Sequence, residues 1–234
     1  MLSAARPVIT IDGPSGSGKG TIASRLAQRL GFTLLDSGAL YRVLGLAALR
    51  AGLKPEEDQE AIAALAADLP IHFGRAVTDA PWKDDSVWLG AEEVSLAIRT
   101  DEASAWASLV AAIPAVRASL LQRQRDFLGD AGLVADGRDM GTTVFPEAPL
   151  KVFLTASVEA RAERRHKQLI AKGIDAILPA LLRELQERDA RDTQRSASPL
   201  RAAEDAITID STDMSIEQVM AQIEELIAIK IGKH

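Results

Sequence analysis

Residues 8–21 read Val-Ile-Thr-Ile-Asp-Gly-Pro-Ser-Gly-Ser-Gly-Lys-Gly-Thr, an apolar β-branched run followed by a glycine-rich loop and a lysine. The next residues, 22–30, have the apolar spacing of an amphipathic helix. Glycines at positions 13, 16 and 18 let consecutive backbone N–H groups surround an anion without clashes of Cβ atoms. This strand–loop–helix order, with the spacing G-x-x-x-x-G-K, predicts a phosphate-binding loop whose Lys19 ammonium reaches the outer phosphates.

The position after Lys19 departs from the general pattern of such loops. It is usually Ser or Thr, whose hydroxyl binds Mg²⁺. Here it is Gly20, and the hydroxyl comes one residue later at Thr21. This variant is more similar to the nucleoside monophosphate kinases than to GTPases or ATP-driven motors. That likeness implies Mg²⁺ held largely through water and substrate phosphates, and it does not make Thr21 a direct ligand.

The composition excludes several classes of protein. With 234 residues, 47% of them hydrophobic and 26% charged, the chain is typical of a globular protein with one substantial core. It contains no apolar run of the roughly 18 residues that a membrane span needs, and the segment before the first strand is too short for a signal peptide. The absence of cysteine excludes disulfides and thiolate metal sites. We therefore expect a cytoplasmic monomer that binds no membrane.

The charge of the chain points to a small anionic ligand. A net charge of −6 argues against a nucleic-acid partner, because such binding requires a basic face. Arginine is nevertheless concentrated in one stretch of the acidic chain. Its members are Arg161, Arg164, Arg165, Arg183, Arg188, Arg191, Arg195 and Arg201.

Short β-rich runs alternate with segments of helical periodicity along the chain, which predicts a parallel sheet covered by helices on both faces. After the first strand and helix, the predicted strands are 32–36, 132–135, 151–154 and 206–209. The predicted helices are 39–51, 59–68, 109–128 (bent or started by Pro114), 157–171, 176–193 and 215–231. Between them, residues 71–73 and 86–89, separated by a turn at 80–85, predict a small antiparallel β insert at about 70–100. The fold class is α/β, with ligands at the carboxyl ends of the strands.

Two further loops are predicted to meet the phosphate loop at that edge. Residues 35–42, Leu-Asp-Ser-Gly-Ala-Leu-Tyr-Arg, place Arg42 near a helix start. Residues 136–141, Asp-Gly-Arg-Asp-Met-Gly, directly follow a strand, so Arg138 can bind a phosphate with its guanidinium fork. Asp136 is where an acidic residue beside Mg²⁺ would lie. The alternative is a loop of solvated charges closed by a structural Arg–Asp pair.

A stripe of arginines follows near residue 190. On a helix, Arg188, Arg191, Asp192 and Arg195 fall at i, i+3, i+4 and i+7, hence on one face. Arginines on one stripe repel each other unless an anion or acid faces them, which favours a mobile lid that closes over phosphates. The alternative is a solvated face with Arg–Asp pairs inside the helix.

Together these motifs resemble the bacterial cytidylate kinases, and the likeness covers nearly the whole chain. It is carried by residues 10–21, 35–42, 135–141, 144–146 and 210–212. Residues 88–99, from Trp-Leu-Gly to Ile-Arg, are similar to the β insert of the bacterial type of that family. A polar, proline-containing turn at 78–86 departs from the family pattern.

The resemblance implies ATP-dependent phosphorylation of CMP and dCMP to CDP and dCDP, with Mg²⁺ bound mainly with ATP. It implies a single P-loop kinase domain over residues 1–234, with a monophosphate-binding region at about 37–117 and an Arg-rich helical lid at about 160–195. The acceptor oxygen is already anionic at neutral pH, so no general base is required. Catalysis would consist of positioning and charge neutralisation by Lys19, Arg138 and Arg188.

Carried over to this sequence, the family pattern assigns a role to each of these positions. The ATP phosphates would be held by Gly13, Pro14, Ser15, Gly16, Ser17, Gly18, Lys19, Gly20 and Thr21. The CMP phosphate would be bound by Arg42, Arg138 and Arg188, and the sugar by Asp192. The cytosine would be read by Ser108, Arg117, Asp139 and Arg195. The acceptor pocket would be completed by Ser37, Tyr41 and Asp136.

Two rival functions stay open at this point. One is a P-loop kinase for another nucleoside monophosphate or for a small acceptor such as a hydroxyacid. The other is a P-loop nucleotide switch, against which stand Gly20 and the absence of a guanine-reading Asn-Lys-x-Asp segment. A piece of a larger fused polypeptide is not expected.

Overall fold

The computed structural model describes residues 6–73, 86–171 and 173–232. The strands run Val8–Asp12 (β1), Thr33–Asp36 (β2), Ile71–Phe73 (β3), Val87–Leu89 (β4), Glu92–Glu93 (β5), Leu133–Gly137 (β6), Leu150–Thr155 (β7) and Ile207–Asp210 (β8). The α-helices run Lys19–Leu30 (α1), Ser37–Arg50 (α2), Gln59–Ala67 (α3), Asp101–Val110 (α4), Pro114–Arg125 (α5), Val158–Ala171 (α6), Leu178–Gln194 (α7) and Ile216–Lys230 (α8). The chain forms two compact units, of which the second is Ser37–Gln124 and the first is the rest.

The first unit is built on a five-stranded parallel sheet with the order β2-β6-β1-β7-β8. The central strands β1 and β6 are buried along their whole length, as expected for a sheet covered on both faces. Their register sets Ile11 opposite Asp136 and Asp12 opposite Gly137. The carboxyl ends of β1 and β6 therefore lie side by side, as predicted for the phosphate loop and the loop after β6.

The core of the first unit lies between the sheet and helices α1 and α8. Ile9 and Ile11 of β1 are fully buried in it with Leu26 of α1 and Ile223 of α8. Burial of side chains of this size contributes about 2 kcal/mol each. The sheet is thereby held rigid beneath the loops at its carboxyl edge.

The second unit combines helices with a three-stranded antiparallel sheet of order β3-β4-β5. Helix α2 packs on α4 so closely that a Cβ built on Gly45 would lie 2.8 Å from the Cβ of Trp106. The predicted antiparallel insert is confirmed, with β5 as a further strand. The turn predicted at residues 80–85 lies outside the described residues.

The predicted helix at 109–128 is wrong in its extent. Val110 ends α4, a helix that the periodicity did not predict, and Pro114 begins α5 at an angle of 101° to α4. Proline disfavours helical backbone in the residue before it but suits the first turn of a new helix. The missed signal for α4 is Thr100, whose side chain accepts from the Ala103 N–H at 3.1 Å.

No helix among the described residues is by itself long and apolar enough to cross a membrane. Helices α4 and α5 reach that length and composition only when taken together, across a bend of 101°.

Candidate active site

The phosphate loop connects β1 to α1 at the carboxyl edge of the parallel sheet. Gly13 has a φ of +153°, and a Cβ built on it would lie 2.0 Å from the carbonyl oxygen of Leu154. A side chain at this position would therefore clash with the backbone of β7, so glycine is needed for the loop to leave β1. Gly18 is the N-cap of α1, so the loop leads directly into the positive end of that helix dipole.

Two side chains of the loop are buried in a way that suits a bound phosphate. Lys19 donates from Nζ to the Pro14 carbonyl at 3.1 Å, which holds its ammonium across the loop. The Oγ of Ser17 is buried and has no hydrogen-bond partner within the described part of the chain. A buried hydroxyl of this kind is well placed to bind a ligand oxygen. Thr21, in the first turn of α1, is exposed.

Asp136, near the end of β6, lies directly beside the phosphate loop. Its carboxyl group is buried, and a Cβ built on Gly20 would lie 3.2 Å from its Oδ2. A Ser or Thr side chain at position 20 would crowd this carboxylate, which gives a physical reason for the glycine there. Asp136 thus places a carboxylate oxygen at the edge of the phosphate loop.

Asp12, the last residue of β1, positions the backbone that follows β6. It is buried and accepts hydrogen bonds from the N–H groups of Met140 and Gly141, both at 2.8 Å. Burial raises the pKa of Asp12 to about 7, although the two N–H donors lower it; the charges of Asp139 and Asp136 add to the rise. Since both oxygens are occupied by N–H donors, Asp12 supports the site and is not placed to act as a base.

Arg138 and Asp192 join the loop after β6 to helix α7. The Nε of Arg138 donates to Oδ2 of Asp192 at 2.9 Å, and Asp192 is buried. Burial alone would raise the pKa of Asp192, but the guanidinium groups of Arg138, Arg188 and Arg195 together hold it below its ordinary value. Arg195 also donates from Nε to the Ser198 carbonyl at 2.8 Å. Of the predicted stripe, Arg188 and Arg195 therefore act on a buried acid, whereas Arg191 is exposed.

Asp139, which directly follows Arg138, is buried in the first unit, and five other predicted site residues lie in the second. Ser37, Tyr41 and Arg42 lie on α2, Ser108 on α4 and Arg117 on α5. The guanidinium of Arg117 lies 5.6 Å from the centre of the Tyr41 ring, within the range of a cation–π contact.

Two side-chain atoms of this unit are buried and have no hydrogen-bond partner within the described residues. They are the Oγ of Ser108 and the Nε of Arg42. Ser108 and Arg117 lie on differently directed helices, because α4 ends at Val110 and α5 turns away from it.

The described residues offer few side chains that could together bind a metal ion. They contain no group of three or more His, Cys, Asp or Glu side chains able to hold a metal ion. Asp136 supplies the kind of hard oxygen donor that Mg²⁺ prefers, and further ligands would have to come from water and nucleotide phosphates.

Comparison with known proteins assigns the chain to a family. The sequence model of that family, described as cytidylate kinase, matches residues 9–229. The chain belongs to the cytidylate kinase family. A protein named cytidylate kinase from Pseudomonas entomophila (strain L48) is 55% identical over 229 residues, which cover 98% of this chain and 99% of the relative. One from Azotobacter vinelandii (strain DJ / ATCC BAA-1303) is 56% identical over 226 residues, covering 96% and 97%.

Similarity to solved structures is much lower. A shikimate kinase from Acinetobacter baumannii in complex with shikimate aligns with a TM-score of 0.43 and 17% identity, covering 98% of this chain and 97% of its own. A thymidylate kinase from Candida albicans aligns with a TM-score of 0.40 and 17% identity, covering 97% and 93%. The membership in the cytidylate kinase family rests on the sequence matches alone.

The predicted α/β fold with a parallel sheet is confirmed, and so is the resemblance to the family. The first unit brings together the phosphate loop, Asp136, Arg138 and α7 with Asp192. The role of each residue toward ATP, CMP, its base and its sugar stays a prediction, as do the domain boundaries at 37–117 and 160–195.

Sequence reasoning missed two residues that support this site. No role was predicted for Asp12, although it lies within the quoted residues 8–21. The signal that could have identified it is an acidic residue at the end of a buried strand. Arg161 was counted only within the arginine-rich stretch. It is 4% exposed, and its Nη1 donates to the Ser15 carbonyl of the phosphate loop at 3.0 Å. No pattern along the chain pairs residues so distant in sequence.

Proposed function

We propose that this protein transfers the γ-phosphoryl group of ATP to CMP and dCMP, forming ADP and CDP or dCDP. The observation that carries the proposal is identity of about 55% over nearly the full length of relatives named cytidylate kinase. A glycine-rich loop with a buried lysine, beside a carboxylate and an arginine, supports phosphoryl transfer as the chemistry.

The phosphate loop binds the ATP phosphates through its N–H groups, with Ser17 and Lys19 adding side-chain contacts. Lys19 exchanges its bond to the Pro14 carbonyl for one to a phosphate oxygen, which strengthens as charge develops in the transition state. Asp136, together with water and the ATP phosphates, would hold Mg²⁺, and the metal would supply neutralisation of charge on the transferring group.

The acceptor phosphate of CMP is bound by Arg42, Arg138 and Arg188. A guanidinium fork matches two phosphate oxygens at once, so it fixes the direction of attack as well as offsetting charge. The attacking oxygen is already ionised, and catalysis therefore consists of positioning and charge neutralisation.

Recognition of cytosine is assigned to Ser108, Arg117, Asp139 and Arg195, and that of the sugar to Asp192. A buried hydroxyl such as Ser108 Oγ, which has no partner among the described residues, rejects a base that leaves it unpaired. Ser37 and Tyr41 line the acceptor pocket. The protein acts as a cytoplasmic monomer, with no nucleic-acid or membrane partner.

The test is a coupled ADP-release assay with ATP, Mg²⁺ and a panel of CMP, dCMP, UMP, AMP and small hydroxyacids. We expect CMP and dCMP to be phosphorylated with a kcat/KM at least about a hundredfold above that for AMP. Equal efficiency with AMP would remove the cytosine assignment and leave a general P-loop kinase. Nucleotide binding without acceptor-dependent turnover would instead support a nucleotide switch.

A further inference from the structure

The guanidinium of Arg161 contacts three separate pieces of backbone and side chain in the first unit. Arg161 lies in the first turn of α6 and is almost completely buried. Its Nε donates to the Ala156 carbonyl at 3.0 Å, which fixes the plane of the group. Its Nη1 donates to the Ser15 carbonyl at 3.0 Å, so one arm is attached to the phosphate loop. A buried arginine with this many partners has a single preferred orientation.

The stem of the same side chain packs against the loop. A Cβ built on Gly16, whose φ is +78°, would lie 3.2 Å from the Cβ and 3.7 Å from the Cγ of Arg161. The turn at Gly16 therefore rests on the aliphatic part of Arg161 while the neighbouring carbonyl accepts from its head. Both contacts act on the short segment whose N–H groups are expected to bind phosphate.

Both terminal nitrogens of Arg161 also reach α7. Nη1 lies 3.2 Å from Oδ1 of Asp189, and Nη2 lies 2.5 Å from Oδ2, so the carboxylate is bound by a fork. Asp189 is adjacent in the chain to Arg188 and one turn before Asp192. A single guanidinium thus connects the phosphate loop to the helix that carries the arginine stripe.

We propose that Arg161 and Asp189 are positioning residues that fix the phosphate loop and α7 relative to each other. Neither residue contacts substrate; together they place the loop that binds ATP and the helix whose Arg188 binds the acceptor phosphate. The inference deepens the proposed function and rests on it. Its physical basis is that in-line transfer is sensitive to placement, with an error of about 1 Å costing on the order of a hundredfold in rate.

Lysine cannot replace Arg161 in this arrangement. Its ammonium is a compact charge on a flexible stem, without the planar fork that binds a carboxylate with two parallel bonds while a third nitrogen donates elsewhere. The link depends on that geometry as well as on the charge, so Arg161→Lys separates the two contributions.

The experiment compares Asp189→Asn with Arg161→Lys. Asp189→Asn retains the bonds of Arg161 to the Ser15 and Ala156 carbonyls and weakens only the connection to α7. We expect its kcat to fall about tenfold with the KM for ATP within threefold of wild type, because a neutral amide is a weaker partner for guanidinium. Arg161→Lys loses support of the loop too, so we expect both a lower kcat and a KM for ATP raised at least about fivefold.

The matched control is Glu217→Gln, which breaks an exposed ion pair of Glu217 with Arg25 (N···O 3.2 Å) between α8 and α1. It removes the same type of charge from the same unit and should leave kcat and KM unchanged. Circular dichroism and thermal unfolding establish that each variant is folded at the assay temperature. Asp189 is partly exposed, with 27% of its side chain accessible, so Asp189→Asn keeps the test available if Arg161→Lys does not fold.

The proposal is overturned if folded Asp189→Asn keeps its wild-type kcat, or if it raises the KM for ATP as much as Arg161→Lys does. Binding of a nonhydrolysable ATP analogue is measured without any acceptor. The comparison of ATP binding between the two variants is therefore independent of CMP. Kinetic constants are taken with the acceptor that the wild type uses best. Failure of CMP as a substrate would therefore overturn the proposed function while leaving the test of Arg161 and Asp189 intact.

Discussion

The Nε of Arg138, directly after β6, lies 2.9 Å from Oδ2 of Asp192 on α7. Within the first unit, this bond connects the loop beside the phosphate loop to the arginine-rich helix. Asp192 is thereby the counter-charge of Arg138, with Arg188 and Arg195 close enough to help lower its pKa. Arginines gathered for an anionic substrate need such an acid when no substrate is bound, because their charges otherwise repel each other.

Replacing Asp192 by Asn should destabilise the protein and weaken turnover. The Arg138 side chain is 17% exposed, so its guanidinium is mostly shielded from water, and leaving it without its acid partner should lower the free energy of unfolding in urea by about 3 kcal/mol at most. The control is Arg191→Gln, which removes an exposed charge one position away. If Asp192→Asn had the same free energy of unfolding as the control, the pair of Arg138 and Asp192 would contribute nothing to stability.

The same acid predicts a dependence of stability on pH. Because the folded-state pKa of Asp192 lies below its ordinary value of 3.8, the contribution of its carboxylate is present above that value. It is lost as the pH falls through the lowered pKa. The difference in stability between wild type and Asp192→Asn should therefore shrink in strongly acidic solution and be constant at neutral pH.

Asp12 should show the opposite dependence. Its pKa is raised from 3.8 to about 7, so between these values the folded protein retains a proton that the unfolded chain releases. Stability from this group is therefore greatest in acid and decreases as the pH rises through about 7. Thermal unfolding of wild type and Asp12→Asn should be measured from pH 5 to pH 8. As the pH rises, the stability of wild type should fall relative to that of the variant. A difference independent of pH would mean that Asp12 is ionised throughout this range.

Lys19→Ala should abolish most activity while the protein stays folded. The transition-state charge then lacks its ammonium partner, and we expect kcat/KM to fall by at least about a thousandfold. Lys54→Ala, which removes a lysine from an exposed ion pair in the second unit, is the control. Activity of Lys19→Ala within about tenfold of wild type would exclude the phosphate loop from the chemistry.

The arginine-bearing helices should become more ordered when both substrates bind. Phosphate supplies counter-charge beyond that of Asp192, so hydrogen exchange of the described parts of α6 and α7 should slow with CMP and an ATP analogue together. Arg188→Ala should reduce turnover more than it weakens ATP binding, since Arg188 is assigned to the acceptor. The exposed Arg183 on the same helix provides the control, Arg183→Ala. If hydrogen exchange were unchanged and Arg188→Ala kept near-normal turnover, the arginine stripe would have only a structural role.

Much of the fold followed from local patterns in the chain. The β-branched run before Gly13 and the later apolar runs marked the parallel strands to within one or two residues. For β1, β6 and β7 the reason is that strands buried along nearly their whole length have little choice of composition. Pro114 starts a helix, as one of the two predicted alternatives had it, but the predicted helix extended back to residue 109, because one periodic stretch contains the end of α4 and the start of α5. Periodicity reports the face that a segment buries, and it does not report a change in the direction of the chain.

The sequence by itself determined the phosphate loop, the α/β class and the kinship with cytidylate kinases, since each depends on residues that are neighbours along the chain. Only the tertiary structure decided which distant residues share a contact. Asp12 binds N–H groups 128 and 129 positions away, Arg138 meets Asp192 across 54, and Arg161 reaches Ser15 across 146. These pairings arise from the order and register of the strands and the packing of α6 and α7, which bring separate segments to one edge of the sheet. Charge and hydrogen-bonding capacity are properties of single residues, but their partners are set by packing.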